Sequence, residues 1–416
     1  MCTFIKSLYI FFMKKICLAA LGVYLNFFAL FAQSNPQQDS TYKNRTLQLE
    51  EVNLISSYYH QDGDNAAVTG GIGSEKLTDI SNIIDVKFTK YDKKYRKHTL
   101  SAELGVDTYT SASSDMIDLK ANSSASSHDV RIYPSLSWAM DNEKKGTIVG
   151  LNASASSEFD YKSFGFGTSF SKRSKNNNRE FTIKLQAYLD KVLLVGPVEL
   201  RTGTIPTTGN GRYHIQYAST PRNSYSTSLS YTQVVNQKLQ LLFLLDLAYQ
   251  KGYLGLPFHR VYFNDNSLKV ENLPSTRFKI PIGVRANYFL GDKIILRGFY
   301  RFYHDDWGLT AHTADIETAI KITPFFSVAP FYRFYHQSAV NYFAPYLSHA
   351  ISETYYTSNY DLSNFNSHFV GAGFRISPPK GIAGSQHFSM IEIRYGHYIR
   401  STNFNSNIIS MNLKFK

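Results

Sequence analysis

The stretch Ser406-Asn407-Ile408-Ile409-Ser410-Met411-Asn412-Leu413-Lys414-Phe415-Lys416 alternates between apolar and polar side chains. Ile409, Met411, Leu413 and Phe415 share one side of the alternation. Because successive side chains of a strand point to opposite faces, the stretch predicts a strand with one apolar and one polar face. An outer-membrane barrel ends on such a strand, which closes against the first one. We therefore expect Ile409, Met411, Leu413 and Phe415 to mark a closing strand.

The same two-residue alternation recurs along the chain and is clearest at residues 180–189. We count about sixteen such segments, joined by short turns on one side and several long loops on the other, which is typical of outer-membrane barrels. The long connections lie at residues 111–128, 196–223, 252–274 and 338–366. The sequence thus predicts an all-β fold, a transmembrane antiparallel up-and-down barrel with short periplasmic turns and long extracellular loops. The alternative, a secreted protein of two β-sandwiches, predicts alternation but not unequal loops.

Three prolines lie inside predicted strands, at Pro134, Pro281 and Pro330. A proline has no N–H to donate to the neighbouring strand. We therefore expect bulges or displaced strand boundaries at these positions.

The N-terminus is predicted to be an export signal. Lys14 and Lys15 precede a nearly continuous apolar run that ends at Ala32, and this pattern is typical of a cleaved signal peptide. The predicted organisation is a signal peptide at 1–32, a periplasmic lead-in at 33–45 and a barrel at 46–416, located in the cell outer membrane. The alternative is a permanent N-terminal anchor helix.

The predicted signal peptide contains both cysteines, Cys2 and Cys17. The mature chain would therefore contain no disulfide, thiolate nucleophile or cysteine-ligated metal. Loss of the three lysines in this segment lowers the formal charge from +12 to +9. In an exported barrel, a net positive charge favours a positively charged lumen or loops that face anionic lipid. We predict no nucleic-acid partner.

Five stretches of the sequence carry a family resemblance, namely 56–63 (SSYYHQDG), 67–77 (AVTGGIGSEKL), 110–115 (TSASSD), 252–262 (GYLGLPFHRVY) and 303–308 (YHDDWG). They resemble a family of exported Bacteroidota proteins classed as a domain of unknown function, family 3570 of that series. The similarity covers the whole predicted mature chain and implies an outer-membrane barrel. It implies no activity or functional residue.

The polar residues that alternate with the apolar sets are expected to face the barrel interior. Opposed rings or walls of charge in a wet pore set ion selectivity. The alternative is that these charges pair with one another and fill the interior. The predicted pore-lining residues are a basic wall of Arg285, Arg297, Arg301, Arg333, Arg375 and Arg394 and an acidic wall of Asp85, Glu103, Asp107 and Asp246.

Other groups suggest weaker hypotheses. Asp62, Asp64 and Asp115 are candidate ligands of a loop cation, although the spacing of an EF-hand is absent. His304 beside Asp305 and Asp306 could serve a hydrolase at the rim. The aromatic clusters at 299–303 and 331–335 fit a membrane girdle better than a platform for carbohydrate or nucleic acid.

These observations favour a porin-like channel for small solutes, of which anions are one candidate class. The alternative is a non-conducting barrel that presents loops or docks a partner, and the third hypothesis is a barrel hydrolase. The expected partners are outer-membrane lipid, the barrel-assembly machinery and a small solute. No cofactor is predicted.

Overall fold

Sixteen strands of the described chain close into one antiparallel barrel, which confirms the predicted fold class. The computed structural model describes residues 45–110, 128–200 and 217–416. Two further short strands, β10 and β11, form a separate two-stranded sheet within one of the long loops. In chain order the strands are β1 (Gln48–Gly63), β2 (Leu77–Tyr91), β3 (Lys97–Thr110), β4 (His128–Asn142), β5 (Thr147–Ser157), β6 (Tyr161–Arg173), β7 (Arg179–Leu193), β8 (Ser219–Val234), β9 (Leu239–Gly252), β10 (Arg260–Tyr262), β11 (Leu268–Val270), β12 (Thr276–Leu290), β13 (Ile294–Asp305), β14 (Thr310–Thr323), β15 (Phe326–Gln337), β16 (Phe365–Ile376), β17 (Phe388–Arg400) and β18 (Phe404–Phe415).

Each barrel strand pairs with its neighbours in the chain, and β9 pairs directly with β12. The ring closes where β18 pairs with β1, with Leu413 opposite Leu54 and Ile409 opposite Tyr58. The closing strand predicted from its alternation therefore does close the barrel. In this ring β1 lies opposite β9, β2 opposite β12 and β3 opposite β13, because these strands are half the ring apart.

The alternation in the sequence separates two environments. Outward-facing side chains are apolar and exposed, as for Leu136 at 58%, Phe166 at 53% and Ile316 at 50%, and Ile409 and Met411 of the closing strand share this face. A closed barrel also pairs the backbone groups of every strand without leaving a free edge. An apolar outer surface on such a barrel suits hydrocarbon, so the strands span a membrane.

The three prolines lie inside strands and interrupt the pairing on one side only. Pro134 lies opposite Leu104 of β3, whereas the register to β5 skips Tyr133 and Pro134. Pro281 retains its partner on β13 but not on β9, and Pro330 retains its partner on β16 but not on β14. The register is the same on both sides of each gap, so the prediction of bulges or displaced strand boundaries is wrong at these positions. Because proline has no backbone N–H, the hydrogen bonding to one of the two neighbouring strands is instead interrupted locally at each proline.

The two ends of the barrel differ as predicted. The connections at one end are turns such as 92–96, 143–146, 235–238 and 291–293, whereas loops at the other end include 64–76, 253–275 and 338–364. We refer to these as the short-turn end and the long-loop end. In the described ranges no helix has the length and apolar character to cross a membrane. The predicted signal peptide, the lead-in up to residue 44 and the candidate ligand Asp115 lie outside the described residues.

Candidate functional site

The barrel interior has two unlike halves. The inner face of β12–β17, here called the arginine half, contains all six arginines of the predicted basic wall. One row of register partners there runs across five successive strands and contains three charged residues and two aromatic rings. Register partners on neighbouring strands point to the same face of the sheet. All five residues of the row therefore face the barrel interior if one of them does. The row consists of Arg285, Phe299, Asp315, Arg333 and Phe369.

Three acidic residues on the same half, Asp315, Glu317 and Glu392, form ion pairs with three of the six arginines. Arg297 and Arg394 both contact Glu317, with N–O distances of 2.5 and 2.6 Å. Arg333 contacts Asp315 at 3.0 Å. Glu317 and Asp315 were missing from the predicted acidic wall, although both alternate with the outward-facing Ile316. The half is therefore a mixed surface with local ion pairs rather than a purely basic wall.

Glycines let these long side chains lie flat against the wall. The guanidinium of Arg394 lies 5.2 Å from the centre of the Phe331 ring on its way from β17 to Glu317 on β14. A Cβ at Gly373 would come within 3.2 Å of Arg394 Cγ, and a Cβ at Gly396 would come within 2.4 Å of Phe369 Cζ. Small residues at these positions thus keep the arginine and phenylalanine side chains close to the strands.

The other three arginines have no carboxylate partner among the described residues. Arg285 lies over the Phe299 ring at 5.3 Å, and Arg301 and Arg375 form no ion pair in the described chain. The interior is not packed solid around this half. Arg297 and Arg333 remain 46% and 49% exposed even though each has an acidic partner. Water-accessible charge inside a closed barrel indicates open space in the lumen.

Three of the four predicted acidic residues lie opposite the arginine half. Asp85 is on β2, and Glu103 and Asp107 are on β3, the strands that face β12 and β13 across the ring. Asp107 accepts hydrogen bonds from Ser81 Oγ at 2.6 Å and Tyr133 Oη at 2.9 Å. Asp246 is different, because it is on β9, next to β12, and does not face the arginines. Within the described ranges no ion pair joins the two predicted walls.

The inner face of β4–β8, here called the serine half, is lined by small residues. Asn152 Nδ2 donates to Gln186 Oε1 at 3.0 Å across Gly167, where a Cβ would come within 2.4 Å of either amide oxygen. A cavity of about 270 Å³ lies along this wall. Its lining includes Ser101, Ser137, Gly150, Asn152, Ser169 and Lys184.

The rim group and the two described cation candidates, Asp62 and Asp64, do not assemble into a site. His304 is exposed and contacts Thr310 Oγ1 at 3.3 Å. Asp305 is buried in an ion pair with Arg277 at 2.5 Å, and Asp306 accepts from the backbone N–H of Phe278. No His–carboxylate pair therefore forms in this segment.

Asp62 contacts Lys76 at 3.3 Å and is not part of a cluster with Asp64. In the described part of the chain one group of three acids brings potential ligand atoms within 4.8 Å of one another, and it consists of Asp129, Glu158 and Asp160. Burial, together with the charges of Glu158 and Asp129, raises the pKa of Asp160 to about 6. Both carboxylate oxygens of Asp129 accept backbone N–H groups, which is a structural role.

A closed barrel with an apolar outer face and water-exposed arginines inside defines a transmembrane β-barrel with a charged lumen. The family model described as "Protein of unknown function (DUF3570)" matches residues 16–401. The chain therefore belongs to this family, as its sequence resemblance indicated.

Solved structures of outer-membrane proteins are distantly similar to this chain. A bacterial polysaccharide outer membrane secretin is 9% identical, with 88% of this chain and 98% of that chain covered and a TM-score of 0.45. OccK1 (OpdK) of Pseudomonas aeruginosa is 8% identical, with 90% and 99% covered and a TM-score of 0.40. A BenF-like porin of Pseudomonas fluorescens Pf-5 is 7% identical, with 88% and 98% covered and a TM-score of 0.42. No curated protein matches the chain significantly in sequence.

Proposed function

We propose that this protein is an outer-membrane channel that conducts small anionic solutes along the arginine half of its lumen. The observation that carries the proposal is the exposure of Arg297 and Arg333 inside a closed barrel of sixteen strands. Barrels of this strand number leave room for an aqueous channel when loops do not fill them. Side chains nearly half accessible to solvent are consistent with a lumen that water enters.

The arginines without acidic partners give the lumen its preference for anions. Arg297, Arg333 and Arg394 are locally neutralised, so their charges attract a passing anion less than an uncompensated charge does. Arg285 and Arg301 have no such compensation in the described chain, and both lie opposite the strands that carry Asp85 and Glu103. This arrangement produces a transverse field across the channel that draws anions toward one wall.

The test measures ion selectivity. The purified protein is inserted into a planar bilayer under a KCl gradient, and the reversal potential gives the ratio of anion to cation permeability. We expect Arg285→Gln and Arg301→Gln each to lower this ratio about two- to five-fold, the equivalent of 0.5–1 kcal/mol for a water-exposed charge. Glu103→Gln should raise it.

Lys175→Gln is the matched control, because it removes one positive charge from an exposed turn at 174–178 rather than from the lumen. A protein that inserts but never conducts would contradict the channel function. Conductance with the same selectivity in all four variants would contradict the role of the arginines.

A second function has one observation in its favour. The long loops pack against the short β13–β14 turn in an ordered structure whose buried core includes Trp307, Leu309 and Val340. Such a surface can present a docking face to an exported partner. The hydrolase alternative has no comparable support in the described chain. His349 contacts Glu353 at 2.6 Å, but its other ring nitrogen bonds to the backbone carbonyl of Thr357 and the residue is buried. It is therefore a structural histidine rather than a free base.

A further inference from the structure

Two loops from opposite sides of the barrel meet at the long-loop end. Residues 64–76 join β1 to β2, and residues 253–275 join β9 to β12, so their anchoring strands are half the ring apart. Arg260 Nη1 of the second loop donates to the carbonyl of Val68 in the first at 2.6 Å. A Cβ at Gly70 would come within 2.6 Å of the Tyr262 ring, so the two loops are also closely packed. Their contact therefore crosses the opening of the barrel.

A third loop, residues 338–364 between β15 and β16, completes this layer. Asn272 and Tyr356 exchange two backbone hydrogen bonds, at 3.2 and 2.8 Å, and Thr357 Oγ1 donates to Glu271 Oε1 at 2.5 Å. Phe263 packs on the ring of Tyr356 at 4.8 Å. We call residues 64–76, 253–275 and 338–364 together the lid.

Side chains in the lid are buried as they are in a folded domain, and not exposed as they are in solvated loops. Val261, Phe263 and Thr357 are completely buried, and the charged residues Arg260 and Glu271 are only 6% and 4% exposed. Charged groups at this depth are stable only where hydrogen bonds and ion pairs compensate them. The Arg260 guanidinium meets this condition with both oxygens of Glu199, at 2.5 and 3.1 Å, in addition to Val68.

The contacts within the lid are unequal. Residues 253–275 and 338–364 are tied together by backbone bridges at Asn272–Tyr356 and Phe263–His349. Residues 64–76 are instead attached to residues 253–275 through the side chain of Arg260 and the packing of Tyr262 on Gly70. On their own side, residues 64–76 are anchored by Asn65 Nδ2, which donates to the carbonyl of Thr402 at 2.6 Å. Among the described residues, residues 64–76 thus join the layer through side-chain contacts with residues 253–275 and the close approach of Gly71 to Ser358, without a β-bridge to either loop.

We infer that the lid is a gate over the long-loop mouth, and that Arg260, bound to Val68 and Glu199, is the latch that holds it shut. Solute enters when residues 64–76 separate from residues 253–275 at this junction. The inference deepens the proposed channel function and rests on it for its role in transport. The closure of the mouth itself can be measured without any conductance.

The first test compares a latch variant with a variant elsewhere in the lid. Arg260→Ala removes the latch, and Lys269→Ala removes one positive charge that stacks on Phe263 and Tyr356 without touching residues 64–76. We expect the fraction of time spent open in a bilayer to rise several-fold in Arg260→Ala and to stay near wild type in Lys269→Ala. Equal open fractions in all three proteins would overturn the latch.

The second test locks residues 64–76 to residues 338–364, which are themselves bridged to residues 253–275, in a protein whose latch is intact. A Cβ at Gly71, where φ is +86°, would lie 3.3 Å from Ser358 Cβ and 2.7 Å from the Ser358 carbonyl oxygen. The two Cβ atoms of a disulfide are about 3.5–4.5 Å apart, so the cross-link forms after a small outward shift of residue 71. Gly71→Cys with Ser358→Cys is therefore built in a background with Cys2→Ser and Cys17→Ser. Oxidation should suppress conductance and reduction should restore it in the same preparation. A cross-linked protein that conducts like its reduced form would overturn the gate.

The third test separates failure of the gate from failure of the channel. A single cysteine is placed in the serine half by Ser154→Cys in the same background, and a bulky membrane-impermeant maleimide is added outside intact cells. We expect slow labelling, and labelling several-fold faster when Arg260→Ala is added. If bilayers stay silent but labelling follows this pattern, the lid covers the mouth and the transport proposal fails. If labelling is equally fast with and without Arg260, the gate fails whatever the conductance.

Discussion

At the scale of single residues, the clearest case is Asp305, which sequence analysis placed in a candidate hydrolytic group and the structure places in a buried network. Its carboxylate accepts from Arg277 at 2.5 Å, from Tyr303 Oη at 2.6 Å and from the backbone N–H of Trp307 at 3.0 Å. Arg277 in turn lies 4.2 Å from the Trp307 ring. Asp305 thus holds the β13–β14 turn against β12.

We predict that Asp305→Asn lowers the free energy of unfolding by about 3 kcal/mol, since it leaves the Arg277 charge buried without its partner. Unfolding in denaturant, followed by tryptophan fluorescence of the barrel in lipid vesicles, measures the change. His304→Ala is the matched control, because this neighbouring side chain is exposed and should cost less than about 0.5 kcal/mol. Equal losses for the two variants would show that Asp305 is not a structural anchor.

At the scale of elements, the close packing of side chains between β16 and β17 depends on glycine. Gly396 faces the Phe369 ring so closely that a methyl group there would overlap it. The ring would have to leave the wall, and it could then disturb Arg333, whose guanidinium lies 6.0 Å from its centre. The flat lining of the arginine half therefore depends on the lack of a side chain at this position.

We predict that Gly396→Ala destabilises the barrel by about 1–3 kcal/mol, the usual cost of overpacking. The control is Gly298→Ala on β13, where an added Cβ meets no atom within 4 Å. The same denaturant titration compares both variants with the wild type. A Gly396→Ala protein as stable as Gly298→Ala would contradict the close packing of Phe369 on β17.

At the scale of the whole molecule, one carboxylate couples the lid to pH. Burial raises the pKa of Glu75 to about 7, the charge of Asp361 adds to the rise, and Arg400 and His259 oppose it. These groups come from three other segments of the long-loop end. Because the folded pKa lies above the unfolded value of about 4.3, the protonated form favours the closed lid. This contribution is complete below the unfolded pKa and is lost as pH rises through about 7.

We predict that residues 64–76 open more readily at pH 8 than at pH 5, by about 1–2 kcal/mol after allowance for partial solvent screening. Hydrogen–deuterium exchange of these residues, corrected for the intrinsic pH dependence of exchange, measures the opening. Glu75→Gln should abolish the difference, and Lys76→Gln, at the exposed neighbouring position, should retain it. Persistence of the full pH effect in Glu75→Gln would exclude this carboxylate as its source.

The barrel could be predicted from the sequence because strand alternation is a local signal. Each strand repeats its apolar face every second residue, and the last stretch does so up to Phe415. The inner face could be predicted on the same grounds, and applying the rule to Asp315 and Glu317 would have placed acids among the arginines. Which arginines remain unpaired could not be predicted, since Arg394 reaches Glu317 across two intervening strands.

The lid could not be predicted from the sequence, for a different reason. Arg260 and Val68 are 192 residues apart in the chain, and their loops carry no periodic pattern. Residues 252–274 were predicted only as a long loop, although they contain the paired strands β10 and β11. Contacts of this kind follow from the diameter of the ring and the length of the loops, which become known only when the barrel has closed.

The unlike lining of the two halves has a consequence for engineering. Charge is concentrated on β12–β17, whereas the small residues that leave space lie on β4–β8. The residues that set the width of the lumen and the residues that set its charge preference therefore lie on different strands. Larger side chains in the serine half should narrow the lumen without changing its preference for anions over cations. Substitution of Arg285 or Arg301 should change that preference without changing the width of the lumen. A designer could therefore adjust each property without disturbing the other.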